Sequence, residues 1–435
     1  MMKKLIVFLL LTNVVFSQEK NDTVLKTKID TLFIAKDSLI KPIKPTFYSD
    51  NDLKVIDSLL IEKQFNSALI DTLVYVINDK DITRNTTTVL TSALLKVRLS
   101  ALNDRTPFNL AYNPSLEKVI NSYLRYRKRY YPALMAKAKY YFPMFEQYLD
   151  QYDIPLEMKY LAIVESALRP KIKSRVGATG LWQFMYGTGK QFDLKVSSYV
   201  DERQDPVKAT IAACKYLRQL HTIFGDWDLA LAAYNSGPGN VRKAIKRSGG
   251  NKNYWNIRPY LPRETAGYVP AFYATMYLFE YADKHKVYSE VPEFFNFQTD
   301  TIQIKRTITF EQISEKINVH KDVLTDLNPA YKLAIIPFIK GRNYALRLPS
   351  TKIVEFLDKE EEIYALADLA DAQRENPLPK YFEMDKRIRY KVRNGDFLGK
   401  IAQKFGVYIT DIERWNSLKS TRLKIGQRLY IYPKK

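Results

Sequence analysis

The chain has 435 residues and 46% hydrophobic content, enough for two to four domains with real cores, which excludes a disordered polymer. Its formal charge of +21 asks for an acidic partner or surface. A single cysteine, Cys214, excludes an intramolecular disulfide framework, and the scattered His221, His285 and His320 lack ligand spacing, so no metal and no cofactor is expected.

Met1 to Lys4 is a short basic start, Leu5 to Val15 is an apolar run, and Val15 and Ser17 fit a small-residue cleavage rule before Gln18. Residues 1–17 are therefore expected to be a signal peptide, with the mature protein exported to the periplasm or cell envelope. The run is too short for a typical membrane span, and its retention as an anchor would give peripheral membrane association. No cysteine follows the cleavage point, so N-terminal lipidation is not expected. Residues 18–104 read as a tether rich in Lys, Asp and Thr followed by a helical extension, to which no function can be assigned. The sequons at Asn21 and Asn85 matter only where exported chains are glycosylated.

From Pro114 to Tyr281 helical periodicity dominates, broken by GATG, NSGPGN and RPYLPRE. Around Arg125 to Tyr141 basic and aromatic residues interleave as in single-strand nucleic-acid binders. Export argues against nucleic acid, and the plainer meaning is an exposed helix face with tyrosines packed inward. Next, Pro155 suits a first helical turn and Pro170 forces an exit, so residues 155–169 are predicted to form one helix. Met158, Leu161, Glu165 and Leu168 share one apolar stripe of it, which places a carboxylate on a buried face. Burial raises a carboxyl pKa, as a proton donor near neutral pH requires. Against that, Arg169 lies four residues on, the spacing of an ordinary surface ion pair.

Asp201, Glu202 and Asp205 precede a helix expected from about Pro206 to Phe224, and they read as a capping turn more than as partners for Glu165. Cys214 in that helix reads as a small core residue. Gly225 and Asp226 punctuate the next helix, whose AAYN end puts Tyr234 and Asn235 at a helix terminus. Tyr268 lies in a further helix, either lining a groove or packed in the core.

The C-terminal third holds a diverged repeat. The segment from Tyr390 aligns without gaps to the segment from Ile302, with Ile401 over Ile313, Val407 over Val319 and Asn416 over Asn328. Each copy reads as strand, two short helices and closing strand. The stretch between them, acidic and then proline-broken, is expected to be a linker with some helix.

The ordered set IVESALRP, GATGLWQFM, VDERQDPVKAT, WDLALAAYNSGPGNV and ETAGYVP resembles the lytic murein transglycosylases with a goose-lysozyme-like fold, the membrane-bound D type most of all. The two repeats resemble LysM modules, the first in degenerate form. The resemblance spans roughly residues 105 to 435 and implies a multidomain α+β protein: a mainly α-helical lysozyme-like domain at 105–292, a degenerate LysM-like module at 298–350, a linker at 351–385 and a LysM module at 386–435. It implies Glu165 as catalytic acid and then base, and Ser166, Gln183, Tyr234, Asn235 and Tyr268 as substrate-binding residues. Asp396, Phe397, Leu398, Leu423, Lys424 and Ile425 would bind glycan. The partner implied is the peptidoglycan glycan strand, cleaved to 1,6-anhydro ends by a single carboxylate; the alternatives are a hydrolytic muramidase and a non-enzymatic peptidoglycan-binding or scaffolding protein. Three departures stand out: Trp182 where methionine is frequent, Arg169 where a small polar residue is commoner, and a first repeat without the Gly-Asp turn of the second.

Overall fold

The computed structural model describes residues 90–431, apart from 376–377, 380, 382, 384–387, 406 and 419. The expected signal peptide, most of the expected tether and both sequons lie outside the described residues. The first described helix, α1 (Ser92–Asn103), is capped by the Thr91 side chain on Leu94 N and buries Leu95, Leu99 and Leu102 in the core of the helical domain. It belongs to that core, upstream of the boundary expected at 105, because its apolar stripe has no other surface to cover.

Helix α2 (Pro114–Ser122) is capped by Asn113. It runs through a π-turn and a 3-10 turn into α3 (Tyr131–Gln151). Here the basic, tyrosine-rich stretch takes its plainer form: Tyr123, Tyr130, Tyr131 and Tyr141 are buried, and the Arg127 guanidinium stacks over Tyr123. Then comes α4 (Lys159–Ser166), which carries Glu165.

The helix predicted over 155–169 is shorter than expected. It opens with a 3-10 turn at Leu156–Met158 and ends at Ser166, because Ala167 and Leu168 turn left-handed at φ 50° and 56°. Pro170 is not its terminator. Burial of Met158, Leu161 and Leu168 at 0, 0 and 1% exposure holds the strained pair in place.

After α5 (Tyr186–Gln191), helix α6 (Pro206–Phe224) starts at the expected residue: the Asp205 carboxylate accepts from Lys208 N at 2.9 Å, and Gly225 closes the far end at φ 67°. Helix α7 (Trp227–Ser236) lies against α6 through alanines 230, 232 and 233, all without exposure. Helices α8 (Pro238–Arg247) and α9 (Tyr254–Ile257) follow. They lead to α10 (Arg263–Glu280), buried without a break from Thr265 to Leu278. A helix apolar on every side belongs at the centre, and α10 packs on α2, α4 and α7.

In the first repeat, β1 (Thr299–Gln303) is followed by β2 (Ile308–Thr309), α11 (Phe310–Ile317), α12 (Lys321–Leu327), β3 (Ile335–Ile336) and β4 (Ala345–Pro349). Strands β1 and β4 pair antiparallel, with Ile302 opposite Leu346. The expected linker carries its helix as α13 (Ile353–Asp358) and α14 (Glu360–Gln373), but it is packed and not free, burying Phe356, Ile363, Tyr364 and Ala367 in the same small core. Its apolar residues, spaced by three and four, required a partner. The second repeat comprises β5 (Ile388–Lys391), α15 (Leu398–Phe405), α16 (Ile409–Asn416) and β6 (Arg428–Ile431) around its own core.

One bond pattern demonstrates the repeat. Asn328 accepts from Arg347 N at 2.7 Å and donates to Arg347 O at 2.8 Å, and Asn416 does the same with Tyr430 at 2.6 and 2.8 Å. An amide at the end of the second helix latches the closing strand in both copies.

Candidate functional site

Glu165 sits on the last turn of α4, half-buried, and Tyr268 of α10 donates its hydroxyl to Glu165 Oε1. The Glu165 carboxyl is pushed up to about 7 by burial; the Tyr268 hydrogen bond pulls it down and the charge of Glu264 raises it. The expected pair with Arg169 does not form, because the helix ends before that residue could lie one turn above the carboxylate. Burial, and after it the charge of Arg169, lowers the Lys137 ammonium.

Tyr268 and Tyr234 are both held far above the usual phenol range by burial and by Glu165, so both are neutral donors. Tyr234 donates to Trp182 O at 2.8 Å, and Thr265 donates to Asn235 Oδ1 at 2.8 Å. Gln183, left-handed at φ 47°, donates to Gly180 O at 2.8 Å. The loop 177–184 therefore reaches the end of α7 through Tyr234.

Ser166 is placed differently from expectation. It is 1% exposed, and its hydroxyl faces Ala162 O at 2.8 Å and Leu181 O at 2.9 Å, so it ties α4 to the loop and has no access to a sugar. Trp182 is fully buried, donates to Thr210 Oγ1 at 2.9 Å and packs on Phe145.

The acids considered as a second catalytic carboxylate are spent on structure. Asp201 forms a buried pair with Arg203 at 2.7 Å, Glu202 accepts from Lys195 N and Lys208 Nζ, and Asp205 caps α6. Arg203 also donates to Gly177 O at 3.1 Å and Phe184 O at 3.3 Å, clamping the loop at both ends. The loop lies so close that a Cβ on Gly180 would fall 1.8 Å from Arg203 O, and Gly180 is at φ 91°. Sequence reasoning missed the clamp, because an arginine between acids reads as a solvated charge. It also missed Glu264, four residues before Tyr268, where the helical period was the available signal. A second buried acid, Asp228, takes the Tyr273 hydroxyl deep in the core, and its carboxyl is held well above the ordinary range by burial.

The six residues expected to bind glycan in the second repeat separate by exposure. Phe397 and Ile425 are 63% and 71% exposed and Lys424 is exposed. Leu398 is instead buried, and Leu423 packs against the same core, because the small module needs both for its interior. Asp396 accepts from Tyr390 Oη at 2.7 Å and Arg393 N at 2.8 Å, which shapes the turn. In the first repeat the aligned positions are Ile308, Thr309 and Phe310. There β2 pairs with β3, Ile308 opposite Ile336 and Thr309 opposite Ile335, so a ladder joins the two loops that stay apart in the second copy.

Three stretches match known families. Residues 143–257 match the transglycosylase SLT domain, 298–365 the LysM-like domain of lytic transglycosylase MltD, and 390–431 the LysM domain. With the Glu165 site held between α4, α7 and α10, they define the class that the chain resembles: a transglycosylase SLT domain followed by two LysM-type modules.

Among relatives, it is 29% identical over 337 residues to membrane-bound lytic murein transglycosylase D of Escherichia coli (strain K12), covering 76% of this chain and 71% of that one. It is 35% identical over 136 residues to the soluble lytic murein transglycosylase of the same strain, covering 30% of this chain and 21% of that one. The crystal structure of the 70-kDa soluble lytic transglycosylase from Escherichia coli aligns at 30% identity and TM-score 0.31, over 42% of this chain and 30% of that one.

Proposed function

We propose that the chain is an exported peptidoglycan lytic transglycosylase of the cell envelope, cutting the β-1,4 bond between N-acetylmuramic acid and N-acetylglucosamine. The observation that carries the reading is a half-buried carboxyl with its pKa near 7, hydrogen-bonded to a neutral tyrosine. Such a group holds a proton at neutral pH and gives it up without leaving a stable ion behind.

Glu165 donates its proton to the glycosidic oxygen as the bond from C1 of the muramic ring breaks. The 2-acetamido group of that ring stabilises the cationic C1. The ring's own 6-hydroxyl then bonds to C1 and returns its proton to Glu165. No water is consumed, the product ends in 1,6-anhydro-muramic acid, and the enzyme is restored. Tyr268 orients the carboxyl, Gln183 and the Tyr234-Asn235 end of α7 line the sugar sites, and Ser166 and Arg203 hold the loop that presents Gln183. In the C-terminal copy, Phe397, Lys424 and Ile425 are the exposed groups that retain the strand.

Glu264 favours one second reading, a hydrolytic muramidase in which two carboxylates act across the cleft, because its charge reaches Glu165. Mass spectrometry of soluble fragments from purified peptidoglycan decides between them. Fragments one water lighter than hydrolytic ones, absent with Glu165→Gln, are expected. Reducing-end products lost with Glu264→Gln would establish the hydrolase, and no products from the wild type would leave a binding protein.

A further inference from the structure

Helix α3 carries Tyr140, Met144 and Tyr148 one turn apart, a stripe that faces the first repeat. The stripe lines a cavity of about 350 Å³ whose other walls include Asn296, Tyr331 and Asn343. That size falls within the ordinary range for small-molecule sites, roughly 300–1,000 Å³.

Its walls do not depend on a ligand to come together. Asp201 N donates to Ala330 O at 2.9 Å and Lys332 N to Tyr199 O at 2.8 Å, while Tyr199 and Val200 of the catalytic domain lie in the core of the first repeat. The cavity is therefore preformed at a fixed seam.

Its polar groups identify the ligand class. Among the described residues, the hydroxyls of Tyr140 and Tyr148 and the side-chain amides of Asn296 and Asn343 make no hydrogen bond. The charges beside them are offset, Lys208 by its ion pair with Glu202 and Arg347 by Asp205 in the same lining, so the site carries no net charge that would select an anion. Half-buried tyrosine rings beside unspent hydroxyls and amides suit a sugar, whose C–H face packs on the aromatic ring while its hydroxyl and acetamido groups bond at the rim. A second hollow of about 530 Å³ shares Tyr140 and Leu327 with this cavity and reaches Leu168 and Arg169, just beyond the catalytic helix. A path for a strand thus runs from the seam towards α4.

We infer that the seam cavity is an accessory carbohydrate subsite for one N-acetylhexosamine unit of a glycan, separate from the Glu165 cleft and from the loops of the C-terminal repeat. The inference rests on the glycan reading above.

The test is hydrogen-exchange mass spectrometry of the full chain carrying Glu165→Gln, with and without N-acetylglucosamine hexamer. Slowed exchange is expected in segments 295–301 and 341–347. That protection should be lost when Tyr148→Ala is added, while protection at the 396–398 and 423–425 loops persists. Asn343→Leu, at an exposed position, gives the same loss without risk to folding. Protection confined to the cleft or the C-terminal loops would overturn the subsite alone, and protection nowhere would overturn the glycan reading with it.

Discussion

The two repeats share a latch and a topology, yet their surfaces have gone separate ways. In the C-terminal copy the loops around Asp396 and Lys424 stand apart and expose Phe397 and Ile425, large apolar groups that a free module would otherwise bury. In the first copy the loop positions Ile308 and Ile336 are 1% and 0% exposed, paired across a two-residue ladder, and 19 residues separate Asn328 from its latch point against 14 for Asn416. The longer connection supplies β3. The positions that stand open in the C-terminal copy are core here, and the module is bonded to the segment that carries the Arg203 clamp.

If retention belongs to the open copy and chemistry to α4, the two separate by mutation. Glu165→Gln is expected to lower the release of soluble fragments by about 10²–10⁴-fold, the usual worth of a positioned proton donor. Sedimentation with insoluble peptidoglycan should be unchanged. Parallel loss of both would mean that the cleft itself retains the wall.

The next two effects test the repeats against each other. Ile336→Ala should cost about 2–4 kcal/mol of stability, since it opens a cavity under the ladder, and a thermal melt reads it as a lowered Tm. Wall binding at a temperature where the variant is folded should be unaltered. Phe397→Ala with Ile425→Ala should do the reverse: stability within about 0.5 kcal/mol of wild type, because both are exposed, and wall affinity about tenfold weaker. Weakened binding by Ile336→Ala in a folded protein would show that the closed copy still grips glycan.

Much of this was legible in the sequence, where local signals were strong. Pro206 and Gly225 bounded α6 because a proline, a capping aspartate and a left-handed glycine act within one turn. Alignment of the repeats set Asn416 over Asn328, and the structure supplied the latch that both form. The stripe through Glu165 placed its carboxylate on the buried side, although the helix was drawn too long, since the left-handed Ala167 and Leu168 are imposed by packing and no residue preference announces them. The ladder between β2 and β3 was illegible for the same reason. Two isoleucines beside a proline read as a loop until a partner strand 27 residues upstream supplies the pairing. The helix in 353–373 was legible but its packing was not, because acidic residues masked the apolar side formed by Phe356, Ile363, Tyr364 and Ala367.

The smallest effect sharpens the contrast through electrostatics. Glu165 and Asp396 each take a tyrosine hydroxyl, yet their shifts have opposite signs. On the open module Tyr390 and the Arg393 amide lower the Asp396 carboxyl, and in the cleft burial outweighs Tyr268 and raises Glu165 to about 7. A lowered acid adds stability that is lost as pH falls through its folded pKa. A raised acid adds stability at low pH that is lost as pH rises from the unfolded value near 4.5 through 7. Wild type should therefore weaken relative to Glu165→Gln over that window, by about 1 kcal/mol after allowance for solvent at a half-buried group. Calorimetry at pH 4 and pH 8 checks the sign: the Tm advantage of Glu165→Gln should be larger at pH 8. An equal advantage at both would mean that Glu165 titrates as an ordinary surface carboxylate, and the contrast between cleft and module would then rest on packing alone.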